Sequence, residues 1–224
     1  MDEREQDQSR KGFLKLAGGG AVASAFALFA DACGDDEEDA AAGGGSSTQT
    51  KTMGGKGGDL EIVNYALTLE YLEADFYEQV VASGEITDKK IVSLAKEIGE
   101  SEQAHVDALL ATAKSLGKPA ARPKTDFTAV LEGGPEKILQ TAATVENLGA
   151  AAYLGQAGRI QDKEILAAAL SIHSVEARHA AALNELVGRG FTGDGPLEGS
   201  IPDGAFAMPM TMDQVLREVQ PFLA

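Results

Sequence analysis

Residues 95–109 read AKEIGESEQAHVDAL, and residues 169–183 read ALSIHSVEARHAAAL. Each segment carries one Glu-x-x-His unit, and the two units lie 74 residues apart. A Glu and a His three positions apart project from the same face of a helix. The paired units are Glu102 with His105 and Glu176 with His179. The two segments therefore predict two equivalent helices, each presenting a carboxylate and an imidazole on one side.

The segments upstream of these units repeat as well. Residues 62–77 read IVNYALTLEYLEADFY, and residues 138–153 read ILQTAATVENLGAAAY. Ile, Ala, Glu and Tyr recur at the same positions, and steps of four, four and seven residues keep them on one helical face. The matched pairs are Ile62 and Ile138, Ala66 and Ala142, Glu70 and Glu146, and Tyr77 and Tyr153. The chain thus predicts two helical hairpins built on one plan.

The predicted helices occupy residues 59–82, 87–116, 135–158 and 162–187. Thr87 is the expected N-cap of the second helix, and Pro135 suits the first position of the third. Residues 118–134 contain two prolines and two glycines and form a long connection between the hairpins. We therefore predict an all-α four-helix bundle with a crossover connection, followed by a short C-terminal fifth helix over residues 211–223.

Each repeated Glu lies in an apolar stripe and should point into the bundle core. An unpaired buried carboxylate is costly, on the order of several kcal/mol, and four together also repel one another. Two metal ions would compensate that charge, with the Glu of each Glu-x-x-His unit able to bridge them. The candidate ligands are Glu70, Glu102, His105, Glu146, Glu176 and His179. Mixed oxygen and nitrogen ligands favour two Fe or two Mn ions over a structural zinc ion. The alternative interpretation is a polar core whose groups satisfy one another.

Four neighbouring residues are candidates for a supporting shell around the ligands. Tyr77 and Tyr153 lie two turns from the candidate Glu ligands and could contact them or simply pack in the core. Glu73 has Gly149 as its counterpart and is either an extra ligand on one side or an exposed residue. His173 lies one turn before Glu176 and is either a supporting residue or a surface residue.

Residues 1–33 have the basic, then apolar, then small-residue pattern of an export signal. The stretch SRKGFLK at 9–15 resembles a twin-arginine signal, with Lys11 at the second arginine position. Cys33 lies where a lipobox places its lipidated cysteine, although a plain secreted protein is the alternative. Residues 34–58 are almost devoid of apolar side chains and read as a flexible tether. We expect an exported protein, lipid-anchored at the outer side of the cytoplasmic membrane, with its folded domain over 59–224.

The composition restricts the classes of function. The chain has 224 residues and 44% hydrophobic residues, enough for a sizeable core, and only 5% aromatic residues, which favours helices over a β-sandwich. The formal net charge of −16 argues against binding nucleic acid through its phosphates. Metal ions are the partners that the pattern favours. The sequence leaves open a monomer or a homodimer.

The order Glu, Glu-x-x-His, Glu, Glu-x-x-His resembles the di-iron carboxylate pattern of the ferritin-like superfamily. The match covers about residues 59–189, and all six ligand positions of that pattern are filled. The stretch NYALTLEYLEADFY at 64–77 further resembles the branch that includes desiccation-related proteins. The superfamily contains ferroxidases, peroxidases, manganese catalases and members without a known reaction, so the resemblance implies a metal site but fixes no activity.

Two functional hypotheses follow from these observations. The first is an exported oxidoreductase that oxidises Fe(II) with O2 or reduces H2O2 at a dinuclear site. The second is a non-enzymatic cell-envelope module, stress-related or structural, in which any metal only stabilises the fold.

Overall fold

A computed structural model of the chain describes residues 56–189 and 206–224. The described part contains six α-helices and a final turn of 3-10 helix, and no strand. The α-helices are α1 (Lys56–Ser83), α2 (Lys89–Leu116), α3 (Thr128–Leu131), α4 (Gly134–Ala157), α5 (Lys163–Leu186) and α6 (Met212–Val219). The 3-10 turn covers Gln220–Phe222. The all-α fold class predicted from the repeats is therefore confirmed. The expected export signal, Cys33 and most of the tether lie outside the described residues.

The bundle consists of two hairpins that face each other. Helix α1 packs along α2, and α4 packs along α5. The hairpins meet through contacts of α1 with α4 and of α2 with α5. The connection between the hairpins crosses over and contains the short helix α3, which the sequence pattern did not predict. Among the described residues, no helix is both long enough and apolar enough to cross a bilayer.

The two helices that carry the Glu-x-x-His units begin with the same capping arrangement. The Asp88 carboxylate accepts hydrogen bonds from the amides of Lys90 and Ile91 at the start of α2. Asp162 does the same for Glu164 and Ile165 at the start of α5. The predicted cap at Thr87 was thus one residue too early. A carboxylate here accepts hydrogen bonds from amides that have no partner within the helix. Its negative charge also interacts favourably with the positive end of the helix dipole.

The C-terminal segment closes one side of the bundle. Val215 and Val219 of α6 are buried, and the amide of Met210 donates to the carbonyl of Ala151 at 3.1 Å. Gly155 is required beneath this segment, because a Cβ there would lie 1.9 Å from the carbonyl oxygen of Met210. The predicted fifth helix is therefore present and packs against α4.

Asp59 joins the start of α1 to the turn that precedes α5. Its side chain is 3% exposed, and its two carboxylate oxygens accept hydrogen bonds from the amides of Gln161 and Asp162, each at 2.9 Å. This residue therefore links the first helix of one hairpin to the second helix of the other.

We expect Asp59→Ala to lower the free energy of unfolding by about 1–3 kcal/mol for each amide that loses this acceptor. Asp59→Asn retains one acceptor oxygen and should fall between the wild type and the Ala variant. Urea unfolding followed by circular dichroism measures the difference, with Glu61→Ala, an exposed position on the same helix, as the matched control. Equal stability of the Asp59→Ala and Glu61→Ala variants would show that the two hydrogen bonds do not contribute.

Candidate metal centre

The fold brings the six candidate ligands together in the middle of the bundle. The four carboxylates, Glu70, Glu102, Glu146 and Glu176, are fully buried, and each comes from a different long helix. Together with the two histidines they form two overlapping groups, and within each group the ligand atoms lie within 4.8 Å of one another. Residues far apart in the sequence thus form one polar cluster inside an apolar core.

The first group surrounds the Nδ1 atom of His105. This nitrogen lies 2.8 Å from Glu102 Oε2, 3.1 Å from Glu176 Oε1 and 3.2 Å from Glu70 Oε2. This nitrogen has hydrogen-bond geometry toward the Glu102 and Glu70 oxygens but not toward Glu176 Oε1. A cation placed among these atoms could instead interact with all of them.

The second group surrounds the Nδ1 atom of His179. This nitrogen lies 2.8 Å from Glu102 Oε1 and 3.2 Å from Glu146 Oε2, and Glu176 belongs to the same group. Glu102 therefore turns one oxygen toward each histidine. Glu102 and Glu176 are shared by the two groups, whereas Glu70 and Glu146 each belong to one.

Unpartnered oxygens provide a test of whether a metal would fit this cluster. Glu102 Oε1, Glu73 Oε2 and both oxygens of Glu176 are buried and have no hydrogen-bond partner. Glu102 Oε1 and Glu176 Oε1 do lie close to histidine nitrogens, but those contacts lack the orientation of a hydrogen bond. Buried carboxylate oxygens without a donor are costly unless a cation coordinates them. The residues present therefore fit a pair of divalent cations that prefer oxygen and nitrogen ligands.

The protonation behaviour of the carboxylates reflects the same crowding. Burial, together with the charges of the neighbouring carboxylates, raises the pKa of Glu176 well above its usual range. Burial likewise raises the pKa of Glu70 to about 7, although the contact with His105 opposes it. Burial would also raise the pKa of Glu102, but its close contacts with His105 and His179 outweigh burial and hold that pKa at about 2. Glu176 therefore binds a proton far more readily than Glu102, which is ionised.

The histidines shift in the opposite direction to what burial alone would cause. Burial lowers the pKa of His179, yet its contacts with Glu102 and Glu146 raise it to about 9. The pKa of His105 is raised further, because three carboxylates surround it and outweigh its burial. Metal-free protein thus balances its buried carboxylates with protons that metal ions would displace.

Tyr77 and Tyr153 contact the candidate ligands of the opposite hairpin. The Tyr77 hydroxyl donates to Glu146 Oε1 at 2.6 Å, and the Tyr153 hydroxyl donates to Glu70 Oε1 at 2.5 Å. Both tyrosines are also buried, so each of them contacts a candidate ligand and packs in the core. These hydrogen bonds orient Glu146 and Glu70, the two carboxylates that each belong to only one of the two ligand groups.

Glu73 is buried, at 3% exposure, which removes the alternative of an exposed residue. A Cβ at its counterpart, Gly149, would lie 2.9 Å from Glu73 Oε1 and 2.8 Å from Glu176 Oε2. The two carboxylates therefore use the space that a side chain at 149 would fill. The lack of space for a side chain explains why the second hairpin has Gly where the first has Glu.

His173 lies outside the cluster. Its side chain is partly buried, and its Nδ1 atom lies 3.0 Å from the carbonyl oxygen of Ala150. It belongs to neither of the two groups that bring the candidate ligands together. Sequence reasoning did not single out Tyr65, whose buried hydroxyl has no hydrogen-bond partner, since a tyrosine in an apolar stripe gives no signal of its own.

The fold and the cluster define a class: helical bundle proteins with a buried carboxylate and histidine cluster compatible with a metal site. The chain belongs to the ferritin-like domain family, whose model matches residues 58–189, more than half of its length. It is also similar to the crystal structure of a hypothetical protein from Methanococcus jannaschii, with 16% identity and a TM-score of 0.48. That similarity covers 78% of this chain and 98% of the archaeal one. No curated protein sequence matches this chain.

Proposed function

We propose that this protein binds a dinuclear iron or manganese centre and uses it for redox chemistry, either Fe(II) oxidation or peroxide reduction. The observation that carries the proposal is the convergence of three buried carboxylates on one nitrogen of His105. A proton on that nitrogen is shared between Glu102 and Glu70 and leaves Glu176 Oε1 without a hydrogen bond, whereas a metal ion could interact with all three carboxylates. The assignment of Glu70, Glu102, His105, Glu146, Glu176 and His179 as ligands is part of this proposal.

The arrangement suggests a role for each kind of residue. Glu102 and Glu176, which belong to both groups, would bridge the ions, and Glu70 and Glu146 would each bind one. A bound pair of such ions supplies two adjacent centres for electron transfer. Tyr77 and Tyr153 fix the carboxylates of Glu146 and Glu70 by hydrogen bonds, as outer partners of metal ligands commonly do. The surrounding apolar core limits the access of water.

Metal analysis tests the binding part of this proposal. Protein purified without chelator and supplied with Fe(II) or Mn(II) should hold about two ions per chain, as in other carboxylate bundles of this kind. Anomalous scattering at the iron and manganese edges then identifies the metal and its position. Less than about one ion per chain after supplementation would contradict a dinuclear centre.

Turnover assays test the redox part separately. Loaded protein should oxidise added Fe(II) in the presence of O2, or should consume H2O2. Protein that holds both ions but does neither is a non-enzymatic module, in which the metal serves to stabilise the bundle. The binding and redox parts of the proposal can therefore fail independently.

We also propose export and lipid anchoring at Cys33, on the support of the amino-acid sequence of residues 1–58 alone. Full-length protein expressed in its host should partition with membranes, and mass spectrometry should detect a lipid on an N-terminal Cys33. Cys33→Ser should release an exported, soluble domain. Membrane association that survives Cys33→Ser, or an intact N-terminus in the mature protein, would contradict the anchor.

A further inference from the structure

Two apolar cavities flank the candidate metal centre at opposite ends of the bundle. The larger has a volume of about 30 Å³ and lies between the first halves of α1 and α5 and the second halves of α2 and α4. The smaller has a volume of about 10 Å³ and lies between the second halves of α1 and α5 and the first halves of α2 and α4. The repeat relates the cavities, since Ala66 and Tyr153 line the first and their counterparts Ala142 and Tyr77 line the second.

The difference in size comes from a few positions at which the repeats differ. Ala152 lines the larger cavity, whereas its counterpart Phe76 lines the smaller one and is fully buried. Ala168, which lines the larger cavity, is likewise smaller than its counterpart Leu94, which lines the smaller one. Larger side chains therefore fill most of the space at one end of the bundle, and smaller side chains leave a larger cavity at the other end.

The lining of the larger cavity determines what can occupy it. Leu69, Leu109 and Ala169 are typical of its apolar walls. Its hydroxyl groups on Thr112 and Tyr153 already donate hydrogen bonds, to Ala108 and Glu70. Among its buried side-chain polar atoms, the Tyr65 hydroxyl lacks a partner. A buried water needs about 2–4 polar partners, so this cavity favours an apolar occupant.

The lining of the cavity includes residues near the bundle surface and a residue that contacts a candidate ligand. Ala168 in its lining is exposed and Thr112 is half-buried, so the outer end lies near solvent. At the inner end Tyr153 lines the cavity, and its hydroxyl donates to Glu70 Oε1. A molecule in the cavity is therefore separated from a candidate ligand by one side chain.

We infer that the larger cavity binds a small apolar gas molecule, dioxygen, next to the metal centre. Its volume has room for one or two molecules of about the size of water, which excludes a lipid or an aromatic substrate. Hydrogen peroxide carries two O–H groups, and among the buried side-chain oxygens of the lining the Tyr65 hydroxyl alone is free to accept one of them, so dioxygen fits better. This inference rests on the proposed redox function and assigns O2 as its oxidant.

Xenon binding tests the cavity without metal or turnover, since xenon occupies dry apolar cavities of proteins. Crystals of the full chain under xenon pressure should show an anomalous peak between Ala66, Ala152 and Tyr153. Ala66→Val adds two methyl groups inside the cavity and should abolish most of that peak. Ala142→Val adds the same groups at the counterpart position and is the matched control, expected to leave the peak unchanged. Ala152→Val is a second filling variant, in case Ala66→Val does not fold.

The kinetic readout is the dependence of Fe(II) oxidation on O2 concentration. Ala66→Val or Ala152→Val, with metal content equal to wild type, should raise the KM for O2 several-fold, and Ala142→Val should not. Absence of xenon from the wild-type cavity, or an unchanged KM in both filling variants, overturns the inference. Xenon bound in a metal-loaded protein that oxidises no Fe(II) refutes the redox proposal instead and leaves a gas-binding cavity.

Discussion

Glu176→Gln is expected to abolish binding of both metal ions while leaving the metal-free fold intact. Glu176 belongs to both ligand groups, so its loss affects both ions. In the metal-free protein its raised pKa favours the neutral form of the side chain, and the neutral amide of Gln has nearly the same shape. We therefore expect the free energy of unfolding of metal-free protein to change by no more than about 1 kcal/mol. Glu102→Gln should differ, because it removes an ionised carboxylate that faces both histidines and leaves their charge unbalanced.

Metal content and thermal unfolding measure this effect together. At a metal concentration of about 100 times the Kd, the wild type should gain about 2.7 kcal/mol for each ion that it binds, and Glu176→Gln should gain almost nothing. Glu70→Gln, which alters one group only, should retain about one ion per chain. Glu164→Gln, at an exposed position on the same helix, is the surface control and should behave as wild type. Two ions retained by Glu176→Gln would refute the shared role of this residue.

Metal-free protein is expected to become less stable as the pH rises from mild acid to about pH 9, because its buried carboxylates must lose their protons. Folding raises the pKa of Glu70 from 4.5 to about 7, so stability declines across that interval. Folding raises the pKa of His179 from 6.5 to about 9, and the stability from its protonated form is full below 6.5 and is lost as the pH rises to about 9. Each shift corresponds to a loss on the order of 3 kcal/mol, at about 1.4 kcal/mol per pKa unit.

The opposite slope is expected at the acid end and in the presence of metal. The lowered pKa of Glu102 contributes stability that is present above 4.5 and is lost as the pH falls toward 2. Metal ligands must be deprotonated, so metal binding strengthens as the pH rises. The difference in melting temperature between Mn(II)-loaded and metal-free protein should therefore widen between about pH 5 and pH 8. Thermal unfolding across this range, with Glu176→Gln as the variant that should show no such difference, measures it. A metal-free melting temperature that rises steadily over the same interval would be inconsistent with the buried cluster.

The helices and the choice of candidate ligands could be predicted because they depend on local spacing. Glu102 and His105 share a helix face whatever the rest of the chain does, and the same holds for Glu176 and His179. Repetition of the plan at Glu70 and Glu146 then selected Glu70 over Glu73 as the first ligand. Helix ends were predicted less well, as Asp88 shows, since neighbouring residues of similar capping ability compete for the same amides.

Other features depend on residues of different helices meeting in space. The sequence placed Tyr77 on the stripe of Glu70, but the packed hairpins turn its hydroxyl toward Glu146. Glu73 was an ambiguous carboxylate until the fold brought it against Gly149 and Glu176. The cavity beside Tyr153 likewise exists because Ala152 stands where the other hairpin has Phe76.

The two repeated Glu-x-x-His units and the Glu that precedes each of them therefore determined the helical bundle and its inward-facing carboxylates and imidazoles, because helical periodicity alone assigns residues to a face. Only the tertiary structure decided that Glu102 and Glu176 are shared between two groups, and that the larger cavity lies on one side of them. The shared carboxylates and the cavity both depend on the distances between atoms of different helices, and the spacing of residues along one helix carries no information about those distances.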